Sequence, residues 1–350
     1  MKVLLYSEGM KYISQSGIGK ALSHQKKALA LNNVEFTTDI HAKDVTLVHI
    51  NTFGPKSFFL AKKAKHEGKK VIIHGHSTQE DFRDSFFFSN ALAPLFKFWL
   101  KIMYSQADAL ITPTPYSKEL LTNYDLGVPI HAVSNGIDLA QFEYSDEKRR
   151  DFRNAHSFSA TDKIVLSVGL YIKRKGIIDF FNVAAMNPDI KFVWCGFTNP
   201  HLMTKEIKDL ILDPPSNVYL LGYINSMSDA YSACDCFFMP TYEETEGIVV
   251  LEALASKRPI ILRDIPVYDT WLRHNQTCFI GSTDEEFSYL IQSCLENKLP
   301  NLTEAGYSVV AERSLAKVGQ QLNIIYQDTE KNDSSLMKKK FHLLHSFVKS

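Results

Sequence analysis

The sequence predicts an α/β protein with two doubly wound parallel sheets, and three observations support this prediction. Short apolar segments recur along the 350 residues, amphipathic segments lie between them, and a polar stretch at 143–162 divides the series into two. Runs of about five apolar residues bounded by polar residues are typical of strands buried on both faces of a parallel sheet. Strands that alternate with helices indicate the right-handed crossovers of an α/β fold.

The predicted elements alternate regularly along the chain. Strands are expected within 2–7, 45–50, 69–76, 107–114, 163–169, 190–196, 217–223, 234–241 and 258–264. Helices are expected at 18–31, 56–67, 117–124, 177–186 and 247–256. Strands lie on both sides of the polar stretch, so each half of the chain can form its own sheet.

The length indicates two domains, because a single hydrophobic core usually stops growing near about 250–300 residues. We expect doubly wound domains at 1–150 and 151–330, with a ligand in the cleft between them at the carboxyl ends of the strands. Residues 331–350 form a separate basic tail in this prediction, with five lysines and one aspartate.

Composition and charge exclude some classes of function. The formal net charge is zero, so a nucleic-acid partner is not expected. The five cysteines lack the spacing of metal ligands, and their odd number fits a reducing compartment. The sequence shows neither a signal peptide nor an apolar stretch of about 18 residues, so a cytoplasmic protein is expected.

Two glycines open the first predicted helix. The segment "SGIGKAL" places Gly17 and Gly19 after the first strand, where backbone amides at a helix N-terminus can approach a ligand. The segment lacks the third glycine of the dinucleotide fingerprint. A tight turn and a ligand-binding loop therefore both fit it.

Polar residues cluster after the third predicted strand, in "HGHSTQEDFR". His76, Glu80, Asp81 and Arg83 lie in one loop at the carboxyl end of a strand. That end faces the expected cleft, which favours a binding role over a solvated loop.

Basic residues follow the first strand of the second half. Lys173, Arg174 and Lys175 precede Gly176 and a helix. Cationic side chains beside a helix N-terminus suit a phosphate, through their charge and through the backbone amides. A solvated run of charges is the alternative.

Carboxylates surround the start of an apolar helix in "YEETEGIVVLEALA". Glu252 lies within this helix, and an unpaired buried carboxylate is so costly that it needs hydroxyl donors from a ligand or from across the core. Glu244 precedes the helix, and the amides near Gly247, Ile248 and Val249 suit an anion. This order predicts a ligand with hydroxyls at both ends and phosphate between them, as in a nucleotide sugar.

Taken together, these motifs resemble the family 4 retaining glycosyltransferases, which have the GT-B fold. The resemblance covers nearly the whole chain and also includes "ADALITPTPYSKELL" at 107–121, "SNGIDLAQF" at 134–142, and "VG" followed by "KG" at 168–176. It implies two Rossmann-like domains with a cleft between them. The C-terminal domain would bind a nucleoside-diphosphate sugar, and the N-terminal domain would bind the acceptor.

The same resemblance implies roles for individual residues. Glu252 would hold the ribose hydroxyls and Lys175 the diphosphate. Glu244 would face the donor sugar, and His76 would lie near the transferred sugar.

The sequence departs from the family pattern at three positions. Leu170 replaces the usual arginine after "VG", so we expect Arg174 to supply the second cation for the phosphates. Glu246 stands where an aromatic or small residue is usual, and Lys257 replaces a glycine. A subfamily with its own donor contacts and drift on a working scaffold both fit these changes.

No Asp-x-Asp pair occurs in the sequence, so a metal ion on the diphosphate is not expected. Lys175, Arg174 and helix amides would neutralise the leaving diphosphate in an enzyme without a cofactor. In this family the leaving phosphate is thought to take the proton of the acceptor, so no general base is assigned.

The nature of the acceptor is predicted from residues 86–105. On a helix, one apolar face would carry Leu95, Phe96, Trp99, Leu100 and Met103. Lys97 and Lys101 stand one turn apart, and the composition fits a helix in a membrane interface. Lysines at 62–70 and in the basic tail add possible contacts with an anionic membrane surface. A helix packed on the N-terminal sheet is the alternative.

Within the family, "HGHSTQEDF" and "DIPVYDTWL" most resemble Gram-positive enzymes that add a second hexose to monoglucosyl-diacylglycerol, whose products anchor lipoteichoic acid. This implies UDP-glucose or UDP-galactose as donor, an α linkage, and monoglucosyl-diacylglycerol or diacylglycerol as acceptor. It also implies a peripheral position on the inner face of the cell membrane. A capsule, wall or other polysaccharide acceptor is one alternative, and a non-catalytic partner in protein glycosylation is another.

Overall fold

The computed structural model describes residues 1–10 and 16–347, with side chains up to residue 331. The described strands are β1 (Val3–Tyr6), β2 (Phe36–Thr37), β3 (Leu47–Ile50), β4 (Lys70–His74), β5 (Ala109–Thr112), β6 (Ile130–Ala132), β7 (Ile164–Val168), β8 (Lys191–Cys195), β9 (Val218–Gly222), β10 (Cys236–Met239), β11 (Ile260–Arg263) and β12 (Phe279–Gly281).

Helices connect these strands in the described part of the chain. They are α1 (Gly17–Leu31), α2 (Pro55–His66), α3 (Gln79–Phe82), α4 (Ser89–Tyr104), α5 (Pro115–Thr122), α6 (Asp146–Ala155), α7 (Ile177–Ala185), α8 (Lys205–Leu212), α9 (Met227–Ala233), α10 (Ile248–Ala255), α11 (Pro266–Asp269), α12 (Asp284–Leu295), α13 (Thr303–Ala311) and α14 (Leu315–Phe347).

The chain divides into two compact units. The first unit contains Met1–His76, Phe98–Gly136 and the chain from Leu315 onward. The second contains Ser77–Lys97 and Ile137–Ser314. The chain therefore leaves the first unit after β4 and returns to it within α4.

The sheet of the first unit has the strand order β2-β1-β3-β4-β5-β6, with all pairs parallel. The direction of winding reverses between β1 and β3, and open α/β sheets bind ligands at the carboxyl ends of strands beside such a reversal. The residues after β1, β3 and β4 are therefore the functional candidates of this unit.

Helix α14 is part of the core of the first unit. Its apolar side chains Leu315, Val318, Leu322 and Tyr326 are buried with those of α1 and β1. The two helices approach closely at Gly319, where a Cβ atom would lie 2.2 Å from the carbonyl oxygen of Ala28. Only glycine allows this contact.

The sheet of the second unit has the strand order β12-β11-β10-β7-β8-β9, and all its pairs are parallel. Its winding reverses between β7 and β10. The loops after these two strands carry the basic and acidic motifs that the sequence singled out, at the place where a doubly wound sheet binds a nucleotide.

The predicted α/β class and parallel sheets are confirmed. Each of the nine predicted strands and five predicted helices is present, with ends within two residues of the expected ones. The edge strands β2, β6 and β12 were not predicted, because two or three residues carry too little pattern.

The polar stretch at 143–162 is not a simple connection. It contains α6, whose Arg149 and Arg153 bind the carboxylate of Asp235 at 2.7 and 3.0 Å. Arg153 is 3% exposed and also donates to the carbonyl oxygen of Ala233. The half-buried Arg149 and the buried Arg153 fix the stretch to the second unit.

The compact units differ in extent from the predicted domains 1–150 and 151–330. The sequence assigns residues 315–330 to the second domain, but their apolar stripe packs in the core of the first unit. The predicted basic tail 331–350 begins inside α14, and its side chains beyond residue 331 lie outside the described residues.

Candidate functional site

A half-buried lysine and a buried glutamate form an ion pair at the switch point of the second sheet. Lys175 ends a short 3₁₀ turn after β7, Glu244 lies in the loop after β10, and the ammonium group contacts the carboxylate. Thr241 donates a hydrogen bond to the same oxygen at 3.2 Å. Burial lowers the pKa of Lys175, and Glu244 opposes this shift. Lys175 thus lies at the switch point of the sheet, and its predicted contact with a diphosphate stays a prediction.

Arg174 connects two loops of the second unit. Its Nε donates to the hydroxyl of Ser85 at 2.9 Å, and its Nη1 donates to the carbonyl oxygen of Glu243 at 2.8 Å. Its backbone amide donates to Asp84. Arg174 therefore lies beside Lys175 while it holds the segment 77–97 in place, and its role as a second phosphate cation stays a prediction.

Glu252 has a partner across the core that the sequence did not reveal. The carboxylate is fully buried in α10, and the hydroxyl of Tyr231 on α9 donates to its Oε2 at 2.8 Å. Burial, followed by the charge of Glu252, raises the pKa of Tyr231, so the phenol keeps its proton. Nothing near Tyr231 in the sequence marks it as this partner.

The start of α10 presents backbone amides. Gly247 has φ +87°, and no side chain caps this helix. A side chain at that φ would be strained, so glycine suits the turn. The first amides of a helix have no partner within the helix, so those near Ile248 and Val249 are available to an anion, and the predicted contact with a phosphate stays a prediction.

Glu246 is paired with a residue far away in sequence. It is fully buried, and its Oε1 lies 4.0 Å from Nε of Arg313, whose guanidinium stacks on Trp271. Lys257 does not balance it, because its ammonium contacts Glu304 at 2.7 Å. Lys257 has φ +51°, a left-handed conformation that glycine adopts with less strain than lysine.

Asp81 lies in a cap at the start of α3. Its Oδ1 accepts the backbone amide of Thr78 at 2.7 Å in a capping box. Burial raises the pKa of Asp81 to about 6, although Arg174 acts in the opposite direction. Of the neighbouring acceptor candidates, Glu80 is half-buried and Arg83 is exposed.

The exposed apolar face of α4 differs from the predicted one. Leu100 and Met103 are fully buried, whereas Leu95 is 65% exposed. Leu100 lies five positions after Leu95, which turns the two side chains about 140° apart on a helix. The exposed large apolar side chains of the segment 77–97 are Phe87, Phe88, Leu92 and Leu95, which are called the exposed apolar patch. Phe98, further along α4, is also exposed. Within the described residues, no helix is long and apolar enough to cross a bilayer.

The other predicted membrane residues of α4 are partly covered. Lys97, Trp99 and Lys101 are half-buried. The indole of Trp99 donates to the carbonyl oxygen of Phe53 at 2.6 Å, which holds it against the first unit. Trp99 therefore has a packing role in this structure.

Three histidines form a buried column at the carboxyl ends of β3 and β4. The rings of His74 and His76 are parallel with centroids 4.0 Å apart, and those of His49 and His74 are 5.5 Å apart. Burial lowers the pKa of His49 and of His76 to about 3, so both rings are neutral. His76 was predicted from the sequence, and its two companions were not.

Gly17 and Gly19 lie in the first turn of α1. The hydroxyl of Ser16 accepts the amide of Gly19 at 3.4 Å and caps the helix. Residues 11–15 lie outside the described residues. The predicted ligand contact at these glycines stays a prediction. Among the described residues, no group of potential metal ligands comes together.

Two family models match the chain. Residues 23–141 match glycosyltransferase family 4, and residues 148–308 match glycosyl transferases group 1. The chain is 44% identical over 337 residues to the processive diacylglycerol alpha-glucosyltransferase of Acholeplasma laidlawii, covering 95% of this chain and 99% of that protein. It is 26% identical to the alpha-galactosylglucosyldiacylglycerol synthase of Streptococcus pneumoniae, over 77% and 74% of the two chains.

Solved structures share the fold. Anabaena HepE in complex with UDP-glucose superposes with a TM-score of 0.72 at 16% identity, covering 94% of this chain and all of that one. Sucrose-phosphate synthase from Thermosynechococcus elongatus gives a TM-score of 0.77 at 16% identity, over 95% and 99% of the chains. The chain therefore belongs to glycosyltransferase family 4 and is a glycosyltransferase with the GT-B fold.

Proposed function

We propose that this enzyme transfers glucose or galactose from a UDP-sugar to monoglucosyl-diacylglycerol or diacylglycerol, with an α linkage. The observation that carries the proposal is the 44% identity, over nearly the whole of both chains, to a processive diacylglycerol alpha-glucosyltransferase. The product would be a membrane glycolipid of the kind that can anchor lipoteichoic acid.

The ion pair at the switch point suits a diphosphate donor. A diphosphate carries more negative charge than a carboxylate and would attract Lys175 away from Glu244. Glu244 would then accept hydroxyls of the donor sugar. The amides at the start of α10 would bind the same diphosphate from another side.

Glu252 suits the ribose of the donor. A carboxylate can accept several hydrogen bonds, so it can accept ribose hydroxyls while Tyr231 stays bound to Oε2. Because a buried charge gains from each added donor, ribose binding would stabilise this arrangement.

The reaction proposed for these residues is a retaining transfer. The bond between C1 of the sugar and the diphosphate oxygen breaks, a bond from C1 to the acceptor oxygen forms, and the acceptor proton passes to the leaving phosphate. Lys175 and the amides stabilise the developing charge, with Arg174 as a second cation. His76 would contact the transferred sugar, and no metal or cofactor takes part in this proposal.

The lipid acceptor implies work at a membrane surface. Phe87, Phe88 and Leu95 are 64%, 67% and 65% exposed within one short segment. Clustered exposed aromatic and aliphatic side chains mark interaction surfaces and fit the interfacial region of a bilayer. We therefore place the enzyme at the inner face of the cell membrane as a peripheral protein.

The proposal is tested with purified enzyme, UDP-[¹⁴C]glucose or UDP-[¹⁴C]galactose, and vesicles that contain either diacylglycerol or monoglucosyl-diacylglycerol. Thin-layer chromatography should show a labelled glycolipid that α-glycosidase cleaves. Glu252→Gln should lower the rate about 100-fold, because it removes a charged contact with the donor. Glu304→Gln, which changes an exposed carboxylate of the same unit, is the matched control and should leave the rate unchanged.

Two results would contradict the proposal. One is labelling of a polysaccharide acceptor with none of either lipid, which would favour the capsule or wall alternative. The other is transfer to lipid at the wild-type rate by Glu252→Gln, which would remove the assigned donor site.

A further inference from the structure

Five buried side chains of the first unit form a continuous hydrogen-bond network that ends at His76. His76 Nε2 lies 3.3 Å from Oδ1 of Asn51, and Nδ2 of Asn51 donates to Oε1 of Gln25 at 2.9 Å. Nε2 of Gln25 lies 2.8 Å from Nδ1 of His49, which is 2.6 Å from the hydroxyl of Tyr326.

The chemistry of its donors and acceptors fixes the direction of each hydrogen bond in this network. Because the amide nitrogen of Asn51 donates to Gln25, its oxygen accepts, and the proton between Asn51 and His76 belongs to Nε2. Gln25 has its oxygen occupied by Asn51, so its amide nitrogen donates to the hydroxyl oxygen of Tyr326. The hydroxyl of Tyr326 can then donate to Nδ1 of His49.

The direction fixes the tautomer of His76. A neutral imidazole with its proton on Nε2 has Nδ1 as its acceptor nitrogen. Only that tautomer can accept a hydrogen bond from a substrate hydroxyl through Nδ1. The stack with His74 fixes the plane of the same ring.

The groups that set this orientation come from distant parts of the chain. Gln25 lies on α1, Asn51 follows β3, and Tyr326 lies on α14. Their exposures are 4%, 1% and 0%, so water does not compete for these hydrogen bonds.

We propose that Tyr326, Gln25 and Asn51 are positioning residues that hold His76 in its Nε2–H tautomer, ready to accept a hydroxyl of the transferred sugar or acceptor. This inference rests on the proposed function for the role of His76, but its tautomer can be measured without any substrate. Through Tyr326, helix α14 would orient a residue of the proposed site in addition to packing in the core.

The test combines kinetics with ¹⁵N NMR of the enzyme labelled at histidine, with the His76 signal assigned by His76→Gln. Wild type should show the Nε2–H tautomer. Asn51→Leu should mix the tautomers and lower kcat about 100-fold with little change in KM for the UDP-sugar. Tyr326→Phe should also mix the tautomers, and it should lower kcat about tenfold or less.

Asn51→Asp separates positioning from a purely structural role. The aspartate still accepts from Nε2, so kcat should recover well above that of Asn51→Leu. A carboxylate beside the ring favours the charged form, so the acid limb of the pH profile should move to higher pH. Thr329→Val removes another buried hydroxyl of α14 and should change neither kcat nor the tautomer.

A wild-type His76 in the Nδ1–H tautomer would overturn the inference. So would a Tyr326→Phe enzyme with an unchanged tautomer, or one whose kcat falls no further than that of Thr329→Val. Failure of transfer to lipid with the predicted tautomer present would instead contradict the proposed function and leave the positioning network intact.

Discussion

At the scale of single residues, buried charges in the second unit are held by partners far away in sequence. Glu252 accepts a hydrogen bond from Tyr231, Glu246 faces the guanidinium of Arg313, and Lys175 forms an ion pair with Glu244. Glu246 lies directly before the amides predicted to bind phosphate, where an unbalanced carboxylate would repel the ligand. The guanidinium of Arg313 offsets that charge, which explains how an acid is tolerated there.

Asp81 provides a prediction at this scale. The pKa of Asp81 is about 6 in the folded protein and 3.8 for an unperturbed aspartate, so the folded protein loses stability as the pH rises from about 4 to 6. Asp81→Asn keeps the Oδ1 acceptor for Thr78 and removes the charge. The variant should therefore match wild type at pH 4 and have a higher thermal midpoint at pH 8, measured by calorimetry.

Glu80→Gln, at the neighbouring position of α3, is the control for this measurement and should not reproduce the pH-dependent difference. An Asp81→Asn protein that is less stable than wild type at pH 8 would contradict the prediction. It would mean that attraction to Arg174 outweighs the burial of the carboxylate.

At the scale of elements, the segment 77–97 carries both polar and apolar candidates for acceptor recognition. It joins the second unit through Arg174, which binds Ser85 and Asp84. Its apolar side chains Phe87, Phe88 and Leu95 remain exposed. An exposed apolar surface fixed close to the residues around Lys175 suits an acceptor that comes from a membrane.

We expect this patch to control binding to vesicles. Phe87→Ser combined with Phe88→Ser should reduce cosedimentation with anionic phospholipid vesicles about tenfold or more, since each aromatic side chain contributes roughly 1.5–3 kcal/mol when buried. Leu212→Ser is the matched control, because Leu212 is 81% exposed in the same unit but outside the patch. Equal binding of the double variant and wild type would show that the patch has another role.

At the scale of the whole molecule, the histidine column makes the fold sensitive to acid. Burial lowers the pKa of His49, His74 and His76 below the ordinary histidine value of 6.5, to about 3 for His49 and His76. Unfolded chains bind these protons near pH 6.5, whereas the folded protein does not. The stabilisation is therefore complete above pH 6.5 and is lost as the pH falls from 6.5 towards 3.

Chemical denaturation at pH 7.5, 6 and 5 checks this expectation. Each such imidazole should contribute about 1.4 kcal/mol per pH unit to the loss of unfolding free energy in that window. His74→Phe keeps an aromatic ring in the stack and should have a shallower dependence than wild type. His41→Gln changes an exposed histidine of the same unit and should keep the wild-type slope. If the unfolding free energy of His74→Phe depended on pH as steeply as that of wild type, His74 would not contribute to the acid sensitivity.

The two sheets and the donor candidates were predictable because their signals are local. Buried strands such as 163–169 are continuous apolar runs, and Lys175, Glu244 and Glu252 lie at fixed distances from strand ends. These patterns depend on residues that are close together in sequence and not on tertiary contacts. The edge strand β12 and the exposed face of α4 were missed, since both depend on what packs beside them.

The sequence alone determined the fold class, the two switch-point loops and the family. The tertiary structure decided which partners the buried polar groups have. Glu252 is paired with Tyr231 and Glu246 with Arg313, and His76 ends the hydrogen-bond network that runs from Tyr326 through Gln25 to Asn51. It also decided that α14 belongs to the first unit. The physical reason is that a buried polar group needs a partner, but that partner can come from any element that the fold brings near, so sequence spacing does not specify it.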